Sequence, residues 1–177
     1  MRVTGGKKRG TLLDVPDSND IRPTSDKVKQ AVFIIIQFME IGEKCLDLFA
    51  GSGAMGIEAI SRTGCFCDFV DRDTKAVEKN IKKCGFSDNC VIHRSDFLSF
   101  LKKTNEKYSL VFLDPPYHKG YIPQALFQLS KKNLQDNAII VMESDFDEEY
   151  EIPKSIDIIK EKKYGRIKIK IGVFNPQ

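Results

Sequence analysis

The chain of 177 residues holds no tryptophan, only two histidines, His93 and His118, and no C-x-x-C pair. Its cysteines, Cys45, Cys65, Cys67, Cys84 and Cys90, are odd in number and lack metal spacing, so they read as buried free thiols and no metal is expected. No apolar run nears the ~18 residues of a membrane helix, and Met1-Arg2-Val3-Thr4 opens no signal peptide. These absences argue against disulfide scaffolds, zinc modules and helical membrane proteins, and leave a cytoplasmic protein as the expectation. A chain of this length suits a single domain that buries roughly 70% of its unfolded surface.

The net charge of +3 is small, but it is unevenly spread. Arg2, Lys7, Lys8 and Arg9 precede any acid; Lys160, Lys162, Lys163, Arg166, Lys168 and Lys170 cluster near the end, and acids gather between Glu143 and Glu151. Such asymmetry permits a nucleic-acid partner without requiring one.

What the chain does have is the stretch from Cys45 to Gly56, Cys-Leu-Asp-Leu-Phe-Ala-Gly-Ser-Gly-Ala-Met-Gly. Leu46, Leu48 and Phe49 read as the end of a buried strand, and Ala54 to Arg62 reads as a helix, so the glycines turn between them. Glycines let the backbone approach a ligand, and the helix behind them offers unpaired N–H groups. Gly51, Gly53 and Gly56 satisfy G-x-G-x-x-G, and Asp71 follows at dinucleotide-like spacing. Against a dinucleotide stands Asp47, at the mouth of the strand. Two unit charges ~5 Å apart repel by roughly 3 kcal/mol at an effective dielectric near 20, so a carboxylate there suits a cationic ligand better than a pyrophosphate. S-adenosylmethionine, with its sulfonium and amino group, fits that requirement.

Taken in order, Arg2 to Thr4 and Thr11 to Val15 suggest short strands joined by a basic turn, either a phosphate-gripping arm or a solvated terminus. Thr24 or Ser25 caps a helix to about Met39, and Arg22 just before it is a candidate ligand contact. Phe66 to Val70 is a strand ending at Asp71, placed to accept ribose hydroxyls, and Lys75 to Cys84 is a helix. Val91 to Arg94 is a third strand. After it, Asp96 is either a helix N-cap or an acceptor for an adenine amine, with the Phe97 N–H as a donor to the ring. Tyr108 to Leu113 ends in Asp114-Pro115-Pro116-Tyr117, a rigid corner with two amide donors removed, which presents carbonyls and a carboxylate at the edge where open α/β sheets bind ligands. A helix over Ile122–Lys131 and a strand over Ala138–Met142 follow. The acidic stretch is a loop or short helix, and Ile156–Lys162 with Ile167–Val173 form a terminal hairpin about Tyr164-Gly165. The alternation gives an α/β fold, a mainly parallel sheet with an antiparallel edge, divided into a basic arm over 1–24 and a core over 25–177.

These motifs resemble those of the class I S-adenosylmethionine-dependent methyltransferases. Specifically, Arg2-Val3-Thr4-Gly5-Gly6-Lys7-Lys8-Arg9-Gly10, Ile21-Arg22-Pro23-Thr24-Ser25-Asp26, the glycine stretch from Leu46 to Ala59, and Phe112 to Tyr117 resemble the bacterial family that methylates the exocyclic amine of a guanine in small-subunit ribosomal RNA. The resemblance implies a Rossmann-like seven-stranded sheet, helices on both faces, and a last strand that runs antiparallel. It implies Asp47, Phe49, Gly51 and Gly53 around the methionine moiety, Asp71 on the ribose, and Asp96 with Phe97 at the adenine. It also implies ribosomal RNA, within a small-subunit particle, as partner to a monomer.

Asp114 and the Pro115 carbonyl would hold the amine hydrogens beside Pro116, Asp114 would accept the proton, and Tyr117 would stack on the base. The same residues would serve an adenine amine in DNA. A dinucleotide oxidoreductase is the other alternative, and it leaves Asp47 and the double proline unexplained. Arg2, Lys7, Lys8, Arg9 and Lys119 are expected to meet RNA around the mouth set by Tyr117, and His118 to be a solvated loop residue.

Overall fold

The computed structural model describes residues 1–15 and 26–176. The Arg22 contact and the cap at Thr24 or Ser25 lie outside the described residues.

Helix α1 (Asp26–Ile36) leads into β1 (Lys44–Asp47), α2 (Ala54–Thr63), β2 (Phe66–Asp71), α3 (Lys75–Cys84), β3 (Cys90–Arg94), α4 (Phe97–Lys103), β4 (Tyr108–Leu113), α5 (Tyr121–Lys132), β5 (Leu134–Asp145), β6 (Ile156–Tyr164) and β7 (Ile167–Phe174). The strands form one seven-stranded sheet in the order β3-β2-β1-β4-β5-β7-β6. β3 through β5 are parallel, and β7 is antiparallel to both β5 and β6. Alternation along the strands explains the layers. Cys45, Cys67, Phe69, Leu110, Phe112 and Val141 pack against Val32, Phe33, Ile57, Val77 and Ile81 of α1, α2 and α3. Leu46, Val70, Val111, Leu113 and Met142 face the opposite way, towards Phe97, Leu101, Ile122 and Leu126 of α4 and α5. Strands covered on both faces carry continuous apolar runs, as Tyr108–Leu113 does.

The strand order reverses beside β1. From there the chain winds outward to β3 and then returns to β4 on β1's other side, which opens a crevice above the carboxyl ends of β1 and β4. That crevice lies between the glycine turn and Asp114.

Three elements differ from the sequence expectation. Helix α1 stops at Ile36, short of Met39, and its final turn closes through the Met39 N–H on the Ile36 carbonyl. Strand β5 extends to Asp145, because β7 pairs with it from Ile139 through Asp145 and holds the polar end extended. The N-terminal arm has a single bridge, Arg2 to Leu12, around a 3-10 turn at Gly6–Lys8. Its backbone bonds are met partly by α2 instead of by a second strand: Thr4 N–H donates to Glu58 Oε2 at 2.8 Å, and Lys8 N–H to Ser61 Oγ at 2.9 Å.

Candidate active site

The cleft above the switch point has a volume of about 830 Å³, at the upper end of what one small-molecule ligand fills. Asp47, Phe49, Gly51, Asp71, Asp96 and Phe97 line it together with Asp114, Pro115, Pro116 and Tyr117. The two motifs, some sixty residues apart in sequence, therefore face one space.

The floor is the glycine turn. Gly51 (φ 52°) and Gly53 (φ 76°) both take the left-handed conformation that side chains resist. A Cβ on Gly51 would meet nothing within 4 Å, so that backbone is open to a ligand, whereas one on Gly53 would strike Val77 Cγ2 at 2.6 Å. Gly53 N-caps α2 and is not among the residues lining the cleft, so what the structure shows of it is its part in shaping the turn. Two carboxylates tie the turn down. Asp47 Oδ2 accepts the Gly56 N–H at 2.9 Å, and Asp71 Oδ2 accepts the Gly51 N–H at 2.8 Å.

Asp47 is 3% exposed. Burial pushes its carboxyl up to about 7; the Gly56 N–H opposes that rise and the charge of Asp71 adds to it. In the sequence Asp47 counts as a full charge at neutral pH, but burial leaves it partly protonated until a cation or further donors arrive. In its ionised form it disfavours a pyrophosphate, which would raise the pKa further.

One wall is aromatic. Phe49 and Phe97 lie 4.9 Å apart, Tyr121 sits 5.1 Å from Phe97, and Tyr121 stacks parallel to Phe49 at 6.1 Å. Tyr121 opens α5 and carries no motif, so no pattern in the sequence marks it. Asp96 N-caps α4, accepting the Ser99 N–H at 3.0 Å. Hydrogen bonds from Ser99 hold its carboxyl below the usual range. The capping role is therefore present, in a residue that also lines the cleft.

Across from this wall, Asp114 to Tyr117 leave β4 at the rim. The Tyr117 hydroxyl donates to Glu143 Oε1 at 2.8 Å, and Glu143 is buried on β5. Burial pushes the Tyr117 phenol well above its ordinary value, reinforced by Glu143 and Asp114, so it stays a neutral donor. Asp145, Tyr164 and Arg166 complete that side, and none of them carries a site signal in the sequence. The pairing of β5 with the terminal hairpin brings Tyr164 and Arg166 to Asp145. His118, in a left-handed conformation at φ 58°, lies 3.7 Å from Asp145 and 3.6 Å from Asp147.

The basic residues are placed less simply. Lys7, Lys8 and Arg9 are exposed, but their turn docks at Ser61, near the far end of α2. They are not at the mouth, because the arm's backbone is anchored along α2; its ends, Met1 and Val15, are what reach the cleft. Arg2 pairs with Asp26, and exposed Lys119 lies two residues beyond Tyr117. Lys168 and Lys170 of the basic C-terminal run pair with Glu149, which removes them from any charged outer patch. No helix among the described residues is long and apolar enough to cross a membrane.

The chain matches the model of the family described as Conserved hypothetical protein 95 over residues 1–173. It is 32% identical over 171 residues to "Ribosomal RNA small subunit methyltransferase D" of Escherichia coli, covering 94% of this chain and 86% of that one. The protein of the same name from Haemophilus influenzae is 35% identical over 179 residues, covering 97% and 92%. Among solved structures, yhhF from Escherichia coli superimposes with a TM-score of 0.90 at 30% identity, covering 100% of this chain and 99% of that one. An RNA methyltransferase from Salinibacter ruber, solved with S-adenosyl-L-homocysteine, shares the fold at a TM-score of 0.67 and 16% identity, covering 88% and 95%. On the matched model and these relatives, the chain has the class I methyltransferase fold and belongs to the Conserved hypothetical protein 95 family, which groups it with the small-subunit ribosomal RNA methyltransferases D.

Proposed function

We propose that the protein transfers a methyl group from S-adenosylmethionine to the exocyclic amine of a guanine, the guanine-N2 position, in small-subunit ribosomal RNA. The observation that carries this reading is the shared cleft. Residues suited to a cationic nucleoside and residues suited to an aryl amine line one space.

Asp71 at the end of β2 would take the ribose hydroxyls, the Phe49, Phe97 and Tyr121 rings would flank the adenine, and Asp47 would face the charged methionine moiety. When bound, S-adenosylmethionine supplies an electrophilic methyl group. The chain's own task is to present the nucleophile. An exocyclic amine is a weak one, because its lone pair is delocalised into the ring. Asp114 Oδ and the Pro115 carbonyl, fixed by two prolines, would accept its two hydrogens and aim the nitrogen at the methyl carbon. Asp114 would then take the proton released as the nitrogen becomes cationic. Orientation of this kind contributes up to several kcal/mol. Tyr117, fixed through Glu143, would stack on a base drawn out of its helix.

The test is transfer of labelled methyl to small subunits from cells lacking this protein, beside naked RNA and duplex DNA, with Asp114→Ala as control. The expected result is label in a guanine of the ribosomal RNA, lowered by at least ~10²-fold in the variant. Label in DNA adenine alone would overturn the substrate, and no transfer to any of the three would overturn the activity.

A further inference from the structure

We propose that Asp145 and Arg166, at the end of β5 and in the β6–β7 turn, select guanine by reading the two positions that follow its amine along the pairing edge. The inference rests on the amine-methylation reading above and adds what that reading lacks, a source of base selectivity. Asp114 and Pro115 would accept hydrogens from any aryl amine, so they cannot tell guanine from adenine.

The chemistry of the two bases differs next to that amine. In guanine the amine is followed by a ring imino N–H and then a keto oxygen: donor, donor, acceptor. In adenine and cytosine the amine is followed by a ring nitrogen with a lone pair. A fixed acceptor beside Asp114, with a donor beyond it, therefore complements guanine and repels the other two.

Asp145 and Arg166 line the same cleft as Asp114. In the parallel register of β4 and β5, Leu113 lies opposite Met142, which brings Asp114 level with Glu143. Asp145 stands two residues further along the same face, on the rim, and lines the cleft with Asp114 and Tyr117. The Tyr117 hydroxyl donates to Glu143 Oε1 at 2.8 Å, which ties the Asp114–Tyr117 corner to the strand that ends in Asp145. Asp145 is 6% exposed and held rigidly. Oδ1 accepts the Phe146 N–H at 2.7 Å, and Oδ2 accepts from Arg166 Nη2 at 3.1 Å, leaving acceptor capacity on each oxygen.

Desolvation works against its charge, but the hydrogen bonds from Arg166 and Phe146 outweigh it and keep Asp145 ionised, hence an acceptor only. Arg166 has four further N–H donors and a side chain 64% exposed, free to reach a keto oxygen. Its guanidinium also lies 5.6 Å from the Phe146 ring, which limits its sweep.

The decisive substrate is ribosomal RNA in reconstituted small subunits, carrying either guanine or 2-aminopurine at the methylated position. The analogue keeps the amine but has a lone pair in place of the imino N–H and no keto oxygen. The wild-type protein should prefer guanine by about 10³-fold or more in kcat/KM, since a site built to pair polar groups rejects an analogue that leaves them unmatched. In Asp145→Asn, whose amide can turn an N–H towards the lone pair, that preference should fall by about 10²-fold, with S-adenosylhomocysteine affinity unchanged. Arg166→Met, on an exposed turn, should lower it by about tenfold and decides the matter if Asp145→Asn fails to fold. A preference that neither variant moves would overturn the role of these residues while leaving guanine methylation standing. Absence of guanine label with the wild-type protein would overturn the parent reading, and this inference with it.

Discussion

Asp47 links residue chemistry to function most directly. Its ordinary pKa is 3.8, and burial raises it to about 7 in the folded protein. Because the folded value is the higher, this group's contribution to stability is complete below about pH 4 and is lost as the pH climbs through about 7, roughly 4 kcal/mol across that interval. A bound cation reverses that preference by favouring the carboxylate. S-adenosylmethionine affinity should therefore rise by up to about tenfold per pH unit below 7 and level off above it, with up to one proton released per ligand near pH 6. Titration calorimetry in buffers of different ionisation enthalpy measures both. Asp47→Asn should flatten the profile and weaken binding, and a wild-type profile flat between about pH 5.5 and 8.5 would remove Asp47 from the cationic part of the site. The residue was legible because its signal is local: an acid at a strand end, four positions before a glycine. Asp145 and Arg166 carry no such signal, because only the β5–β7 register brings together residues twenty-one positions apart.

Among the elements, α2 does more than follow the glycine turn. Its Glu58 is fully buried and accepts from Thr4 N–H (2.8 Å), the Thr4 hydroxyl (2.7 Å) and Arg62 Nε (2.7 Å), with Lys29 Nζ at 3.2 Å. Lys29, equally buried on α1, also donates to the Arg2 carbonyl. One carboxylate thus joins α1, α2 and the arm. Desolvation pushes Glu58 up, and the bonds from Thr4, Lys29 and Arg62 more than offset it, so its carboxyl sits below the ordinary 4.5. A lowered folded value contributes stability above that ordinary pKa, and the contribution fades as the pH falls through the folded one. Glu58→Ala should cost about 3–5 kcal/mol in urea unfolding, because it strands the Lys29 ammonium in the core, and should speed hydrogen exchange at Thr4. An unfolding midpoint unchanged from wild type would show that Asp26 alone satisfies Lys29. In the sequence Glu58 is one more polar residue on a helix. Thr4 and Lys29 lie 54 and 29 positions away, so periodicity places the helix but not the network, and the arm that reads as a basic hairpin is a docked strap.

For the molecule as a whole, the docked strap fixes where its cations stand relative to the chemistry. Ser61, which anchors the Lys8 turn, is seven residues along α2 from Ala54, so the tip lies about 10 Å down the helix from the cleft floor. A free base in the cleft cannot reach it, whereas an RNA lying across α2 can. Lys7, Lys8 and Arg9 should therefore contribute binding of the large substrate and nothing to the chemical step. Replacing all three by glutamate should raise KM for the RNA substrate, leave kcat at saturation and S-adenosylhomocysteine affinity unchanged, and flatten the dependence of log binding on log salt by about 0.7–0.9 for each phosphate no longer neutralised. The Glu58 network stays intact in this variant, since none of the three side chains enters it, so a change in unfolding midpoint and a change in RNA binding are separable. An unchanged salt slope with unchanged KM would confine the RNA to the rim formed by Lys119, Arg166 and Tyr117, and the arm's work would then be to cover α2.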